Sequence, residues 1–151
     1  MCRLRAFALF LRARGKSFAR ILLVDDHEIV REGMCTILSS RQDLEICGEG
    51  VAGQEAVEKA NALKPHLIIL DITMPRLNGF QAVLEIRKFL PIVPILFLTM
   101  HDSSQMVQAS KNAGEQGYVT KAEAGQILLD AVDALLRGQT CFPAAGSFKI
   151  N

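Results

Sequence analysis

The sequence has no tryptophan and a single tyrosine, and its four cysteines, Cys2, Cys35, Cys47 and Cys141, are so widely scattered that no C-x-x-C pair exists. None has a histidine nearby at metal-ligand spacing, which argues against a zinc site and a disulfide framework and implies a reducing, cytoplasmic setting. No apolar run approaches the ~20 residues that cross a bilayer, and the longest in the N-terminal arm, Ala6 to Leu11, is short even for a signal-peptide core, so no membrane span is expected. Acid is missing from the first 20 residues, which hold six Lys/Arg. The whole chain has 17 basic and 16 acidic residues, so 11 basic face 16 acidic in the remainder. A body near −5 lacks the basic stripe that nucleic acid requires, and direct nucleic-acid binding by this chain is not expected. Internal repeats and low-complexity tracts are also missing.

The chain does have 151 residues, half of them apolar, enough for one domain with one core. Residues 1–19 read as a basic, disordered arm, although Phe7, Phe10 and Leu11 sit at helical spacing between arginines and a membrane-surface helix is the other reading. From Arg20 onward, short β-type runs alternate with helical patterns five times. The expected strands are Ile21 to Val24, Leu44 to Cys47, His66 to Leu70, Pro94 to Leu98 and Gly117 to Val119. Helical stripes follow each: Ile29 to Leu38, Ala56 to Leu63, Phe80 to Phe89, a weak one around Met106, Val107 and Ala113, and a clean one from Ile127 to Leu136. Pro65 and Pro91 close the second and third helices, and Asn78-Gly79 reads as a turn.

Alternating strands and helices imply parallel strands with helical crossovers. The runs ILLV, LIIL and ILFL are apolar without alternation, as strands covered on both faces must be, whereas LEIC alternates and the last strand is brief, which puts those two at the edges. The expected fold is α/β: a flavodoxin-like, doubly wound, five-stranded parallel sheet in the order 2-1-3-4-5, with five helices, spanning residues 20–138. Residues 139–151 read as a tail or truncated linker, too short for a helix-turn-helix.

Parallel strands all end at one edge of the sheet, so residues following them converge. Asp25 and Asp26 follow the first strand, Asp71 the third, Thr99 the fourth and Lys121 the fifth. Two carboxylates ~4 Å apart repel by roughly 4 kcal/mol at an effective dielectric near 20, so three in one cleft need a cation. An all-oxygen set favours a hard ion such as Mg²⁺, held by Asp26, with Asp25 acting through water. Asp71, alone at the tip of a central strand, is the best placed nucleophile toward phosphorus, with the metal and Lys121 neutralising the transferred group.

The segments VDDHEIVREG (24–33), LIILDITMPRLNGF (67–80), ILFLTMHD (95–102) and AGEQGYVTKA (113–122) together resemble the receiver domain of two-component response regulators, in the NarL/FixJ-like branch. Each motif alone is weak; the ordered set is specific. The resemblance implies that Asp71 is the phosphoacceptor, charged from a phosphohistidine on a sensor histidine kinase or histidine phosphotransfer protein. Asp26, Asp71 and the backbone carbonyl of Thr73 would ligate Mg²⁺. Thr99 and Lys121 would take phosphoryl oxygens, and Tyr118 would move inward behind Thr99. The output would be a change of the fourth helix, fifth strand and fifth helix, with a phosphorylation-dependent homodimer among the partners the family allows. Such a chain is a self-modifying switch rather than an enzyme.

Met100 replaces a small residue common in the family, Thr73 and His101 occupy positions that influence phosphoryl lifetime, and Ala122 stands where many relatives carry proline. His27 and His101 read as surface residues without a ligand-spaced partner. Two rival readings differ in class. One is a non-phosphorylated interaction module on the same fold. The other is a dinucleotide-binding enzyme, because Gly48-Glu49-Gly50-Val51-Ala52-Gly53 spells G-x-G-x-x-G and Asp71 lies about 20 residues on. The preceding strand reads as an edge, and that enzyme would leave Asp25, Asp26, Thr99 and Lys121 without work.

Overall fold

The computed structural model describes residues 18–100, 104–144 and 147–150. The first 17 residues of the basic arm and His101 lie outside these. The element order is β1 (Ala19–Val24), α1 (Glu28–Ser39), β2 (Leu44–Gly50), α2 (Gly53–Leu63), β3 (Leu67–Asp71), α3 (Gly79–Arg87), β4 (Ile95–Thr99), α4 (Ser104–Asn112), β5 (Gly117–Thr120), α5 (Lys121–Leu136), β6 (Cys141–Ala144) and β7 (Ser147–Ile150).

One sheet contains all seven strands in the order β2-β1-β3-β4-β5-β6-β7. The expected five appear in the expected order, parallel throughout. The sheet then runs two strands further than expected. Gly138 turns the chain at φ +78° after α5, β6 pairs parallel to β5 through Gly117 and Cys141, and β7 returns antiparallel. The β5 strand is therefore not an edge. Its brevity misled the reading, and CFPA, only four residues with an internal proline, carries too little pattern to announce a strand.

The three uniformly apolar runs are buried on both faces because the sheet is covered on both. Ile21, Leu23, Ile69, Leu96, Leu98 and Val119 point to α1 and α5 and form one core cluster. Their neighbours Leu22, Val24, Ile68, Leu70, Phe97 and Tyr118 point to α2, α3 and α4 and form the other. By contrast β2 lies at the sheet edge with only part of it buried, as LEIC foretold.

Local chemistry sets the helix ends. The α2 helix stops at Lys64 in the left-handed conformation (φ 47°), just before Pro65. Asn78-Gly79 is a helix start rather than a simple turn: Asn78 caps α3 by accepting from Gln81 N while the Gln81 side chain accepts from Asn78 N. Gly48 and Gly50, two glycines of the G-x-G-x-x-G pattern, lie inside β2 opposite Leu22 and Val24 rather than in a phosphate-cradling loop. Packing explains them. A Cβ on Gly48 would come within 2.6 Å of the Leu63 side chain, and one on Gly53 would collide with the carbonyl oxygen of Leu77.

Candidate functional site

The C-terminal ends of β1 and β3 and the start of α5 bring Asp25, Asp26, Asp71 and Lys121 together. Asp25 directly follows β1 and is fully buried. Its backbone is pinned twice: its N–H donates to Gly50 O at 3.0 Å, and its carbonyl accepts from Arg31 Nη1 at 2.8 Å. Its Oδ1 accepts from the His27 N–H at 2.8 Å. Asp71, the last residue of β3, is 1% exposed. Its Oδ1 accepts from Thr73 N at 3.1 Å and its Oδ2 accepts from Lys121 Nζ at 3.1 Å. Through its amide Thr73 orients the Asp71 carboxylate, a contact separate from the metal-ligating carbonyl that the resemblance implies.

Lys121 opens α5 immediately after β5, and its side chain is 4% exposed. Its Nζ lies 3.1 Å from Asp71 Oδ2 and 2.8 Å from Asp25 Oδ2, so one ammonium bridges two buried carboxylates. At Asp25 Oδ2 it supplies charge without hydrogen-bond geometry, and that buried oxygen accepts no hydrogen bond. Asp26 is the exposed member, with 29% of its side chain accessible.

Thr99 ends β4, and Asp71 pairs with Leu98 beside it, so the hydroxyl-bearing residue sits one position beyond the acid on the neighbouring strand. Thr99 is 1% exposed. Tyr118 is completely buried in the cluster on the α2/α3/α4 side and thus already occupies an inward position. Met100 is more than half exposed and stands next to Thr99. No cis peptide occurs among the described residues, consistent with alanine rather than proline after Lys121.

His27 corrects the sequence reading. It lies at the surface as expected, its side chain 53% exposed, but it does not lack partners: it is the N-cap of α1, and its Nδ1 lies 3.0 Å from Asp26 Oδ1, 3.2 Å from Asp25 Oδ1, 3.9 Å from Asp71 Oδ2 and 3.1 Å from Lys121 Nζ. Spacing along the chain could not reveal partners as distant as Asp71 and Lys121; its place directly after the aspartate pair was the only signal. Arg31, one helical turn on, was also missed, and it holds Asp25 by the backbone.

Burial pushes the Asp71 carboxyl up to about 6, with the nearby charge of Asp25 adding to the rise and Lys121 opposing it. A group so poised gains from any cation that joins the cluster. One ligand atom from each of Asp25, Asp26, His27 and Asp71 lies within 4.8 Å of the others. The donor set is mostly hard oxygen, it is open to solvent at Asp26 and His27, and it includes a buried carboxylate oxygen that accepts no hydrogen bond. The three carboxylates of this set fit a divalent cation such as Mg²⁺.

Residues 21–133 match the family described as response regulator receiver domain. The chain belongs to that family. This receiver is 39% identical over 123 residues to the response regulator protein VraR of Staphylococcus aureus, an alignment covering 82% of the receiver chain and 59% of VraR. The chain therefore spans about three fifths of that relative. Among solved structures, a LuxR-family two-component response regulator from Aurantimonas sp. SI85-9A1 superposes with a TM-score of 0.78 at 35% identity, covering 82% of this chain and 89% of that one. The signal receiver domain of the putative response regulator NarL from Mycobacterium tuberculosis gives 0.75 at 28% identity, covering 81% and 98%. The receiver falls in the NarL-like branch, with the flavodoxin-like fold expected, and is a signalling module of two-component systems. Among the described residues no helix is long and apolar enough to cross a membrane.

Proposed function

We propose that this receiver is a phosphoacceptor switch in which Asp71 takes a phosphoryl group from the phosphohistidine of a sensor histidine kinase or histidine phosphotransfer protein. The observation that carries this reading is the bridge made by Lys121 Nζ between the buried oxygens of Asp25 and Asp71, at 2.8 and 3.1 Å. Nothing in a structural role needs two buried carboxylates and a lysine at the open edge of a sheet, because isolated buried charges are costly. A phosphoryl-transfer site needs all three.

A carboxylate oxygen of Asp71 attacks phosphorus as the donor's N–P bond breaks; the electron pair leaves with the imidazole nitrogen, and an acyl phosphate remains. Thr73 N–H holds the other carboxylate oxygen and sets the angle of approach. Lys121, already at Asp71 Oδ2, pairs with a phosphoryl oxygen, and Thr99 takes another. Asp26, Asp71 and the Thr73 carbonyl would hold Mg²⁺, with Asp25 acting through water. Bound there, the ion supplies the positive charge that offsets the carboxylates and the phosphoryl oxygens.

The output follows from packing. Thr99 and Tyr118 lie on adjacent paired strands, with Tyr118 opposite Phe97, so a hydroxyl drawn toward phosphate alters the wall against which Tyr118 packs. The face formed by α4, β5 and α5 then changes, and a phosphorylation-dependent homodimer is one reader of it. Direct nucleic-acid binding by this chain is not part of the proposal, given its acidic body. The test is acetyl phosphate with Mg²⁺, followed by intact-mass spectrometry: the wild type gains about 80 Da, one phosphoryl group, and Asp71→Asn gains nothing. An unmodified wild type would make the chain a non-phosphorylated interaction module instead.

A further inference from the structure

We propose that His27 turns the acidic cluster into a mixed nitrogen and oxygen site that takes a first-row transition cation, such as Ni²⁺ or Zn²⁺, more tightly than Mg²⁺. This rests on the reading that the cluster holds a divalent ion. The family resemblance gives ligand roles to the aspartates and to Thr73 and none to the histidine.

Two observations carry it. First, the spacing suits shared ligation: Nδ1 stands 3.0 Å from Asp26 Oδ1 and 3.2 Å from Asp25 Oδ1, and donors about 2.1 Å from one metal lie roughly 3.0–3.4 Å from each other. Asp71 Oδ2, at 3.9 Å, completes the set with a small closure. Secondly, the histidine does no capping work. An N-cap position favours Ser, Thr, Asp or Asn, and His27 makes no side-chain cap hydrogen bond to α1.

The chemistry then separates the ions. Mg²⁺ prefers oxygen and keeps its waters, so an imidazole adds little to its binding. Nickel and zinc gain from imidazole nitrogen and stand higher in the affinity order of divalent ions. The cation displaces the Lys121 ammonium from the middle of the cluster, since Nζ now lies 3.1 Å from the same Nδ1.

Isothermal titration of the full chain with Mg²⁺ and with Ni²⁺, separately and in competition, tests this. Ni²⁺ is expected to bind the wild type at least about tenfold more tightly than Mg²⁺ and to be displaced by excess Mg²⁺. His27→Gln should lose about 10- to 100-fold in Ni²⁺ affinity while its Mg²⁺ affinity stays within about threefold. Co²⁺ should broaden the His27 ring resonances ahead of those of His66. Ni²⁺ affinity unchanged in His27→Gln, equal losses for both ions, or Ni²⁺ that Mg²⁺ cannot displace would each overturn the inference. The His27 side chain is half exposed, so the variant is not at risk of misfolding. Failure of Mg²⁺ to bind the wild type would instead strike the proposed function, which the Mg²⁺ arm reads separately.

Discussion

At the scale of single residues, the raised pKa of Asp71 is a statement about stability as well as reactivity. The folded protein holds its proton up to about pH 6, whereas an ordinary aspartate gives it up near 3.8. Between these values the folded state binds more protons, so stability falls as pH rises through the window and the loss is complete above it. A rise of that size is worth roughly 1–3 kcal/mol, after discounting for the coupling to Asp25 and Lys121. Asp71→Asn removes that charge, so without divalent ions the variant should be more stable than wild type at pH 7.5, and the gap should shrink toward pH 4. Urea melts at a series of pH values check this; parallel curves for the two proteins would count against the geometry described. Divalent-ion affinity should follow the same carboxyl, weakening about tenfold per pH unit below 6 as protons compete.

These residues also mark how far the sequence could be read. Asp25, Asp26, Asp71 and Lys121 were legible because a parallel sheet delivers every strand end to one edge, whatever lies between. His27 was not, because its ring direction depends on how the chain turns between β1 and α1. Nor did sequence reveal that the Thr73 contact to Asp71 runs through its amide, since backbone orientation in a loop leaves no trace in side-chain pattern.

At the scale of elements, glycines decide how closely α3 approaches the site. A Cβ on Gly79 would lie 2.5 Å from the carbonyl oxygen of Asp71 and 2.8 Å from Ile72 Cα, both backbone atoms that cannot swing aside. Gly79→Ala must therefore push α3 off β3 or shift the strand end that carries Asp71. The expected cost is about 1–3 kcal/mol, with slower phosphorylation although no site side chain has changed. Gly125 provides the contrast: it lies in α5 with no atom within 4 Å of the added carbon, so Gly125→Ala should gain about 0.5–1 kcal/mol. Thermal melts with acetyl phosphate kinetics on both variants separate close packing from a general glycine effect. The uniformly apolar strands were readable because both faces are covered. The α4 helix was the faintest signal, and its 9 residues carry few apolar anchors beyond Met106 and Val107.

A second elemental tie joins the end of α3 to the segment before β5. Arg87 meets the fully buried carboxylate of Glu115 with Nη2 at 2.7 Å and Nε at 3.3 Å, and its Nη1 donates to the carbonyls of Leu90 and Val93. Burial raises the Glu115 pKa, and Arg87 works against that rise. Arg87→Met leaves the acid buried and unpaired, at a cost of about 3 kcal/mol near neutral pH. Because the Glu115 pKa then climbs further, the folded state takes up a proton that the unfolded chain does not. The deficit relative to wild type should be smaller at pH 5 than at pH 8, a difference that denaturant titration at the two values reads directly.

At the scale of the whole molecule, the chain beyond α5 takes part in the core. Cys141 is fully buried within the cluster shared by α1 and α5, its N–H donates to Gln116 O at 2.8 Å, and burial pushes its thiol up to about 12, with Asp130 adding to the rise. Yet β6 meets β5 at a single register pair, Gly117 with Cys141, whereas β4 and β5 share four. The β5 strand, and with it the edge that presents Lys121, is thus held mainly from the β4 side. Removing residues 139–151 takes away the buried Cys141, the partly buried Phe142 under Lys111 and the backbone hydrogen bonds of Gln139 and Cys141, and should lower stability by roughly 2–5 kcal/mol while leaving phosphorylation by acetyl phosphate nearly intact. The thiol offers a finer measurement. A buried cysteine with so high a pKa reacts only when its surroundings open, so the alkylation rate at Cys141, resolved by peptide mass spectrometry, measures detachment of β6. If β6 opens independently of the sheet, Cys141 should be modified at denaturant concentrations that still protect Cys35, on α1, and Cys47, within β2. Simultaneous modification of all three would instead make β6 part of the same cooperative unit as the site.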